Sequence, residues 1–305
     1  MKKTLAILLS ALLCLSLFAA CGEEPAEESD VPSEEPSATE PAESEEPIEE
    51  PVEEPAEEIS GNVTLNGSTS MESVILALIE GFAEVQPDVN PQYTGSGSGA
   101  GIEGVLGGTC DLGLASRALS DEEKAQGAVE NIIALDGVAV VINPENTVTD
   151  LTTEQIAAIF KGEITNWSEV GGPDGAIAVF GREAGSGTRG AFEEILGIED
   201  ACAYTNEYSS TGDVIGNVAS NPNAIGYASL SAVNDSVVAV AVNGVTPSEE
   251  TVADGSFAIQ RPFVVVTVEG TELSPAAQAF LDYAMSADVA DIITAAGAVP
   301  ASLAK

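Results

Sequence analysis

The spacing of apolar residues switches repeatedly between a strand-like and a helix-like pattern along residues 61–305. Continuous or alternating apolar runs of about four to eight residues predict strands, whereas a spacing of about three to four residues predicts helices. The helical spacing is clearest in a set whose members share one face: Met71, Val74, Ile75, Leu78, Ile79 and Phe82. Strands that alternate with helices favour an α/β fold with a sheet flanked by helices.

Individual elements can be placed from these patterns and from helix-end signals. A helix over residues 153–160 is predicted because Thr152 and Gln155 have the spacing of a capping box. Another helix should begin at Pro275, since proline suits the first helical position. Strands are predicted at residues 63–65, 111–115, 138–142, 177–180, 225–228, 237–242 and 263–268.

The first 20 residues have the layout of an export signal. Two lysines precede an apolar run over residues 5–18, which is shorter than the about 20 residues that span a membrane. Two alanines then come directly before Cys21, as in a bacterial lipobox. We therefore predict a signal peptide over residues 1–20 and lipidation of Cys21, which would anchor an exported protein to the outer face of the cytoplasmic membrane. The alternative is an ordinary signal peptide followed by an incidental cysteine.

Residues 22–60 contain 17 acidic residues and 7 prolines but no lysine or arginine. Such a segment cannot bury enough apolar surface to offset the entropy of ordering, so it is predicted to be disordered. Charge repulsion and proline extend it, and at about 3.1 Å per residue its reach is roughly 120 Å. With the lipidated cysteine, residues 21–60 would form a tether through a cell envelope. A solubilising tail without a spacing role is the alternative.

The composition of the whole chain excludes several classes of function. There are 50 acidic against 9 basic residues, no histidine, and a formal charge of −41. This charge argues against nucleic-acid binding, which depends on Lys and Arg neutralising phosphates. The lack of histidine excludes Ser-His and Cys-His nucleophiles and nearly all catalytic zinc sites. We therefore expect a binding protein and not an enzyme, with no metal and no cofactor.

Three clusters of serine, threonine and glycine each lie between a predicted strand and a predicted helix: residues 66–70, 95–101 and 185–188. Each cluster offers free backbone N–H groups, hydroxyl donors and the positive end of a helix dipole. Together these groups bind anions without needing net positive charge. One such cluster more often only caps a helix, as the spacing of Thr69 and Glu72 allows. Three clusters in one chain, with Arg182 and Arg189 beside the last, favour an anion site.

A dinucleotide-binding loop is a competing interpretation of the second cluster. Gly99, Gly101 and Gly104 have the spacing of that loop, and Asp121 follows at a suitable distance. The motif requires a strand, the loop and a long helix in one continuous unit. Because the helix here is predicted to end near residue 107, we reject this interpretation.

Five segments follow one another between residues 63 and 305: NGSTSM, YTGSGSGAGI, LASRALSDEE, IFKGEITNWSEVGG and FGREAGSGTRGAFEE. In this order they resemble the phosphate-binding proteins of bacterial ABC transporters. The resemblance implies a two-lobed type II periplasmic-binding-protein fold, in which each lobe is a mixed sheet flanked by helices. It also implies that phosphate binds in the cleft between the lobes, that the lobes close about a hinge, and that a membrane permease receives the phosphate.

The resemblance also assigns ligands residue by residue. The phosphate ligands that it implies are Thr69, Ser70, Ser98, Arg182, Ser186, Gly187 and Thr188. Four further residues are candidates either for ligands or for residues that support them: Ser68, Ser116, Arg117 and Arg189. Two arginines have simpler interpretations. Arg182 could be a solvated loop residue, and Arg189 could be a surface cation paired with Glu193 one helical turn away.

Arg117 is the one departure from the family pattern. It stands where the best-known members carry an aspartate that accepts the phosphate proton. Sulfate has no proton to give to such an acceptor, so selectivity against sulfate must come from other groups or be weaker. A receptor for sulfate or molybdate is therefore one alternative. A serine-dependent phosphatase is another, although no evident base accompanies Ser98 or Ser186.

The resemblance further implies a discontinuous first lobe in a chain that we expect to be monomeric. The predicted limits are residues 61–137 and 240–305 for the first lobe and 138–239 for the second. Trp167 should pack between a helix and a strand in the second lobe. Cys110 and Cys202 could pair in an exported protein or be buried separately, and the sequence does not decide between these states.

Overall fold

The computed structural model describes residues 59–303. The predicted signal peptide, Cys21 and nearly all of the predicted tether lie outside the described residues. Within residues 59–303, no helix is both long enough and apolar enough to cross a membrane.

Strands and helices alternate along this range, as the apolar spacing predicts. The strands are β1 Gly61–Gly67, β2 Val89–Gly95, β3 Leu112–Ala115, β4 Ala128–Ile142, β5 Asp150–Leu151, β6 Ala178–Arg182, β7 Asn206–Tyr208, β8 Ala224–Ser229, β9 Val238–Ala239, β10 Ala241–Val242, β11 Gln260–Val268 and β12 Val299–Pro300. The α-helices are α1 Glu72–Val85, α2 Ser98–Leu106, α3 Asp121–Ala125, α4 Thr153–Phe160, α5 Gly187–Leu196, α6 Thr211–Ser220, α7 Glu249–Ala253, α8 Pro275–Met285 and α9 Ala290–Ala295. Short 3₁₀ turns include Thr69–Met71, Trp167–Val170 and Leu230–Ala232.

Most of the strands belong to one mixed sheet with the order β2-β1-β3-β11-β4-β8-β6-β7. At one end β1 pairs in parallel with β2 and β3, and at the other β6 pairs in parallel with β7 and β8. The two long strands β4 and β11 run antiparallel to each other in the middle. The parallel strands at each end therefore have their carboxyl ends, and the loops that follow them, at one edge of their own half of the sheet.

Apolar side chains form two large buried groups, which we call the first core and the second core. In the first core, α1 and α8 pack on β1 and β11, for example through Phe82, Phe280 and Phe263. In the second core, α4 and α5 pack on β8 through Phe160, Phe192 and Tyr227. The predicted α/β architecture is confirmed.

The chain returns to the first core later than predicted. The predicted return lies near residue 240, but the second core includes Val240, Val242, Val252, Phe257 and Ile259. The first core resumes at Phe263. The apolar run over residues 237–242, predicted as one strand, divides into β9, which pairs with β4, and β10, which pairs with β5.

Several local predictions are confirmed. Thr152 Oγ1 accepts a hydrogen bond from the Gln155 N–H at 3.2 Å, and Gln155 Oε1 accepts one from the Thr152 N–H at 2.9 Å, so α4 has the predicted capping box. Helix α8 begins at Pro275. Trp167 is fully buried in the second core, where its Nε1 donates to the Asn223 carbonyl at 3.0 Å.

The two cysteines within the described range are unpaired. Cys110 packs beside α2 and Cys202 beside the second core. Burial raises the pKa of both thiols, that of Cys202 to about 11. Both side chains therefore behave as small apolar groups at neutral pH.

Gly101 explains why α2 lies so close to the sheet. A Cβ atom on Gly101 would lie 2.4 Å from the Asn66 carbonyl oxygen of β1. No larger residue fits without moving the helix away. The glycines of the second cluster thus serve helix–strand packing as well as loop geometry.

Candidate functional site

Polar segments meet at the carboxyl ends of the parallel strands β1, β2, β3, β6 and β7. In that order they are Ser68–Ser70, Ser98, Ser116, Arg182–Thr188 and Thr211, of which all but Thr211 are predicted from the sequence. Ligands of open α/β sheets bind at this edge, where loops from neighbouring strands converge. The fold therefore brings together segments that are more than 100 residues apart in the chain, such as Ser70 and Thr188.

A cluster of buried hydroxyl groups forms the centre of the site. Ser70 Oγ lies 2.6 Å from Thr188 Oγ1 and 3.0 Å from Thr211 Oγ1. Thr69 Oγ1 lies 3.3 Å from Thr211 Oγ1 and accepts a hydrogen bond from the Thr211 N–H. Thr69 and Ser70 come from the half built on the first core, whereas Thr188 and Thr211 come from the half built on the second.

Thr211 is a site residue that the sequence reasoning missed. It begins α6, and the hydroxyl of the preceding Ser210 caps this helix by accepting from the Asp213 N–H at 3.0 Å. The segment Ser209–Gly212 is a fourth hydroxyl- and glycine-containing cluster between a strand and a helix. The same signal that identified the other three clusters could have found it.

Arg182 lies at the floor of this hydroxyl cluster and is only 2% exposed. Its Nη1 donates to Thr211 Oγ1 at 3.0 Å. Its Nε and Nη2 donate to the two carboxylate oxygens of Glu183 at 2.9 and 2.8 Å. The interpretation of Arg182 as a solvated loop residue is therefore wrong, because the guanidinium is buried and held in one orientation.

The peptide groups of Arg182 are fixed by side chains of the second half. The Arg182 N–H donates to the Tyr227 hydroxyl at 3.0 Å, and the Arg182 carbonyl accepts from Arg189 Nη1 at 3.0 Å. Arg189 is in turn paired with Glu193 at 2.8 Å, and the Tyr204 hydroxyl joins Glu193 to Tyr227. Burial raises the pKa of Tyr227 and of Tyr204, so both hydroxyls stay protonated at neutral pH.

A second group of hydroxyls faces the start of α5. Ser98 Oγ lies 3.3 Å from Ser116 Oγ and accepts from the Ser116 N–H at 3.1 Å. A Cβ atom on Gly187 would lie 2.3 Å from Ser98 Oγ. Nearby, the Gly99 N–H donates to the Gly185 carbonyl at 3.0 Å, which joins the second cluster to the third through main-chain atoms.

Two of the predicted hydroxyl residues act as helix caps. Ser186 Oγ accepts from the Arg189 N–H at 3.3 Å, and Ser68 Oγ accepts from the Ser70 N–H at 3.2 Å. The capping box allowed by the spacing of Thr69 and Glu72 does not form, because the Thr69 hydroxyl faces Thr211 instead.

Arg117 and Arg189 direct their side chains toward carboxylates. Arg117 makes a bidentate pair with Glu123 at 2.8 and 2.7 Å and donates to the Ala118 carbonyl. The hydrogen bond from Arg117 is the main cause that holds the pKa of the Glu123 carboxylate below its usual value. Arg189 pairs with Glu193, as the simpler interpretation predicts, and also with Glu207 at 2.8 Å.

The site combines hydrogen-bond donors with helix dipoles. Helices α2, α5 and α6 begin at Ser98, Gly187 and Thr211, and the 3₁₀ turn Thr69–Met71 leads into α1. A cleft of about 430 Å³ beside the hydroxyl cluster is lined by Thr69, Ser70 and Thr211 together with Glu72 and apolar groups, but not by Arg182. A larger cavity of about 520 Å³, beside Leu230 and Gly297, contains none of the predicted ligands. The hydroxyl cluster above Arg182, and not a large cavity, is thus where the described residues gather the donors that a small anion requires.

Comparison with known protein families agrees with this geometry. A family model described as a PBP superfamily domain matches residues 52–288. The phosphate-binding protein PstS of Bacillus subtilis (strain 168) is 33% identical over 241 residues, which cover 76% of this chain and 78% of that protein. The phosphate-binding protein PstS of Borreliella burgdorferi is 29% identical over 241 residues, with coverage of 75% and 86%.

Solved structures give the same result. A substrate-binding protein of a phosphate ABC transporter from Clostridium perfringens, crystallised with bound phosphate, is 40% identical with a TM-score of 0.76, and covers 79% of this chain and 99% of its own. An ABC-type phosphate transport receptor from Vibrio cholerae is 31% identical with a TM-score of 0.66, over 79% and 100% of the two chains.

Proposed function

The chain belongs to the PBP superfamily, as a phosphate-binding protein of a phosphate ABC transporter, and from this membership we propose that it captures inorganic phosphate in the cleft beside Arg182. Members of this family are substrate-binding proteins of transporters, so the chain is a binding protein and not an enzyme. The chemistry of the cleft is hydrogen bonding to an anion without any covalent step.

One observation carries the proposal: hydroxyls from both halves of the molecule meet over a buried guanidinium. Ser70 and Thr188 are 2.6 Å apart, and Arg182 donates to Thr211 beside them. A tetrahedral oxyanion accepts hydrogen bonds in all directions, so a single loop cannot surround it. Donors from two halves can do so, and the guanidinium adds a charged donor at Nη1, while its Nε and Nη2 are held by Glu183.

We assign the ligand roles as follows. Direct donors to phosphate are Thr69, Ser70, Ser98, Arg182, Ser186, Gly187 and Thr188, to which the structure leads us to add Thr211. Ser186 and Gly187 would contribute mainly through backbone N–H groups at the start of α5, because the Ser186 hydroxyl already caps that helix. Ser68, Ser116 and Arg189 would support these donors, whereas Arg117 would contribute through its pair with Glu123.

The remaining parts of the transport cycle belong to the same proposal. The two halves would close about the strands that connect them and deliver phosphate to the membrane permease. Export by the signal peptide, lipidation of Cys21 and the acidic tether would hold the protein, as a monomer, outside the cytoplasmic membrane.

Sulfate is the second candidate ligand, and Arg117 is the observation that favours it. The aspartate acceptor of the best-known family members is replaced by Arg117, whose guanidinium is turned toward Glu123. If no other group recognises the phosphate proton, the cleft would hold sulfate nearly as well.

Calorimetric titration of the full chain with phosphate, after bound anion is removed by partial unfolding and dialysis, tests the proposal. We expect tight binding that a large excess of sulfate does not displace. Displacement by sulfate would indicate a general oxyanion receptor, and the absence of heat with either anion would refute an anion site.

The variant Arg182→Ala tests the location of the site. Loss of a charged, buried donor costs about 1.5–3 kcal/mol, so the affinity for phosphate should fall by about tenfold or more. The matched control is Lys161→Ala, which removes one positive charge from an exposed pair with Glu163 and should leave the affinity unchanged. Equal affinity of a folded Arg182→Ala variant and its parent would place the site elsewhere.

A further inference from the structure

A buried ion pair lies outside the hydroxyl cluster and was not evident in the sequence. Arg261 of β11 and Asp136 of β4 stand directly opposite each other in the antiparallel register. Nε and Nη2 of Arg261 donate to Asp136 Oδ2 at 3.1 and 2.9 Å, and the two residues are 3% and 1% exposed. Removing both charges from water is costly, and apolar residues of similar volume are often as stable or more so. Stability alone therefore does not explain the pair.

The pair lies where β4 and β11 pass from one core to the other. On β4, Ala134 belongs to the first core and Val138 to the second, so Asp136 lies between them. On β11, Phe263 belongs to the first core, whereas Ile259 just before the strand belongs to the second.

Each partner also reaches one half of the cleft. Arg261 Nη1 donates to the Ser116 carbonyl at 3.0 Å. Ser116 comes directly after the last residue of β3, and its own N–H donates to Ser98 Oγ at 3.1 Å. On the other side, Asp136 Oδ1 accepts from the Ser229 hydroxyl at 2.8 Å, at the end of β8.

We propose that Arg261 is a positioning residue for the anion site, which fixes the Ser116 peptide and through it Ser98, while Asp136 orients Arg261 and ties it to Ser229 of the other half. This role rests on the proposed function, because Ser98 is there a phosphate donor. It follows from the fork of the guanidinium, whose three nitrogens each have a fixed acceptor. A lysine at this position has one nitrogen and cannot reach both acceptors with the same geometry.

The main test compares Arg261→Lys with its parent in phosphate titrations of the full chain. We expect the affinity to fall about tenfold, as for a lost charge-assisted hydrogen bond. The variant is then repeated in two backgrounds. In the Ser98→Ala background, Arg261→Lys should lower the affinity for phosphate by less than about a further twofold, because its effect acts through Ser98. In the Thr69→Ala background, it should lower the affinity by the same factor as in the parent. Equal costs in both backgrounds would overturn the proposal.

A double variant separates positioning from stability. Asp136→Leu with Arg261→Met replaces the pair by apolar residues of similar size, which buried ion pairs can tolerate. We expect a folded protein whose phosphate affinity is still reduced about tenfold. Affinity equal to that of the parent in the folded double variant would refute a positioning role.

A readout without ligand keeps this inference independent of the proposed function. Amide hydrogen exchange at Ser116 should be faster in Arg261→Lys than in the parent, whereas exchange in α8 should not change. Unchanged exchange at Ser116 would overturn the inference whichever anion the protein binds. Failure of the parent to bind phosphate would count only against the proposed function.

Discussion

The hydroxyl of Ser70 lies 2.6 Å from that of Thr188, although 118 residues separate them in the chain. Ser70 precedes α1 in the half built on the first core, and Thr188 lies in the first turn of α5 in the other half. A hydroxyl can donate one hydrogen bond and accept two. Each of these groups can therefore turn its donor from its neighbour to an anion without moving its backbone.

Ser70→Ala should weaken phosphate binding by roughly 10- to 100-fold, because hydrogen bonds to a charged partner are worth about 1.5–3 kcal/mol. Isothermal titration calorimetry measures the change. Ser220→Ala is the matched control, since Ser220 lies at the end of α6 and its hydroxyl donates to the Asn217 carbonyl at 3.0 Å. An affinity of Ser70→Ala within twofold of the parent would contradict its role as a ligand.

Gly187→Ala should impair binding for a steric reason. The new methyl group would lie 2.3 Å from Ser98 Oγ and 2.9 Å from Ser116 Oγ. Relieving such overlap costs about 1–3 kcal/mol, which predicts about a tenfold loss of affinity for phosphate. In the control Gly190→Ala, on the same helix, the nearest atom is at 3.4 Å, so binding should be unchanged. Normal affinity in Gly187→Ala would mean that these segments do not approach each other in the bound state.

Tyr227→Phe should reduce both stability and affinity. Without the hydroxyl, the buried N–H of Arg182 loses its acceptor, at a cost of about 1–3 kcal/mol in the free energy of unfolding. We also expect about a fivefold loss of phosphate affinity, because Arg182 becomes less fixed. Chemical denaturation and calorimetry measure the two effects. Tyr283→Phe, in the first core, removes a hydroxyl near Gly81 and should leave the affinity unchanged.

Glu123→Gln should make a pH-dependent difference to stability. Its hydrogen bond to Arg117 lowers the pKa of Glu123 in the folded protein, so the ionised pair stabilises the fold above the unfolded-state pKa of about 4.3. At pH 7 the variant should be less stable by about 0.5–1 kcal/mol. This difference should vanish as the pH falls below the folded-state pKa. Denaturation at pH 7 and in acid tests it, and a difference that persists in acid would contradict the ion-pair explanation.

The sequence predicts α1, α4 and β11 because their apolar periodicity is strong, and α4 also carries a capping box. The position at which the chain passes from the second core back to the first could not be predicted in the same way. Residues 237–242 form a continuous apolar run, and only tertiary pairing with β4 and β5 divides it. Local patterns contain no information about such partners.

The site shows the same limit. The clusters around Ser70, Ser98 and Thr188 were found because anion-binding helix starts have a local composition. Thr211 had the same signal and was overlooked. Arg261 and Asp136 had none, because two isolated charges 125 residues apart become a pair only when β4 and β11 align.

The hydrogen bond from the Gly99 N–H to the Gly185 carbonyl has a different kind of consequence, because both of its partners are main-chain groups. No exchange of side chains removes it directly, so alanine scanning of the cleft leaves it unreported. Relatives can differ at either position and still keep the contact, provided that the side chains there are small enough for the two main chains to approach. Only a change to the backbone itself, such as proline at position 99, would delete the donor. Neither sequence alignment nor side-chain mutagenesis therefore detects this part of the contact between the two halves.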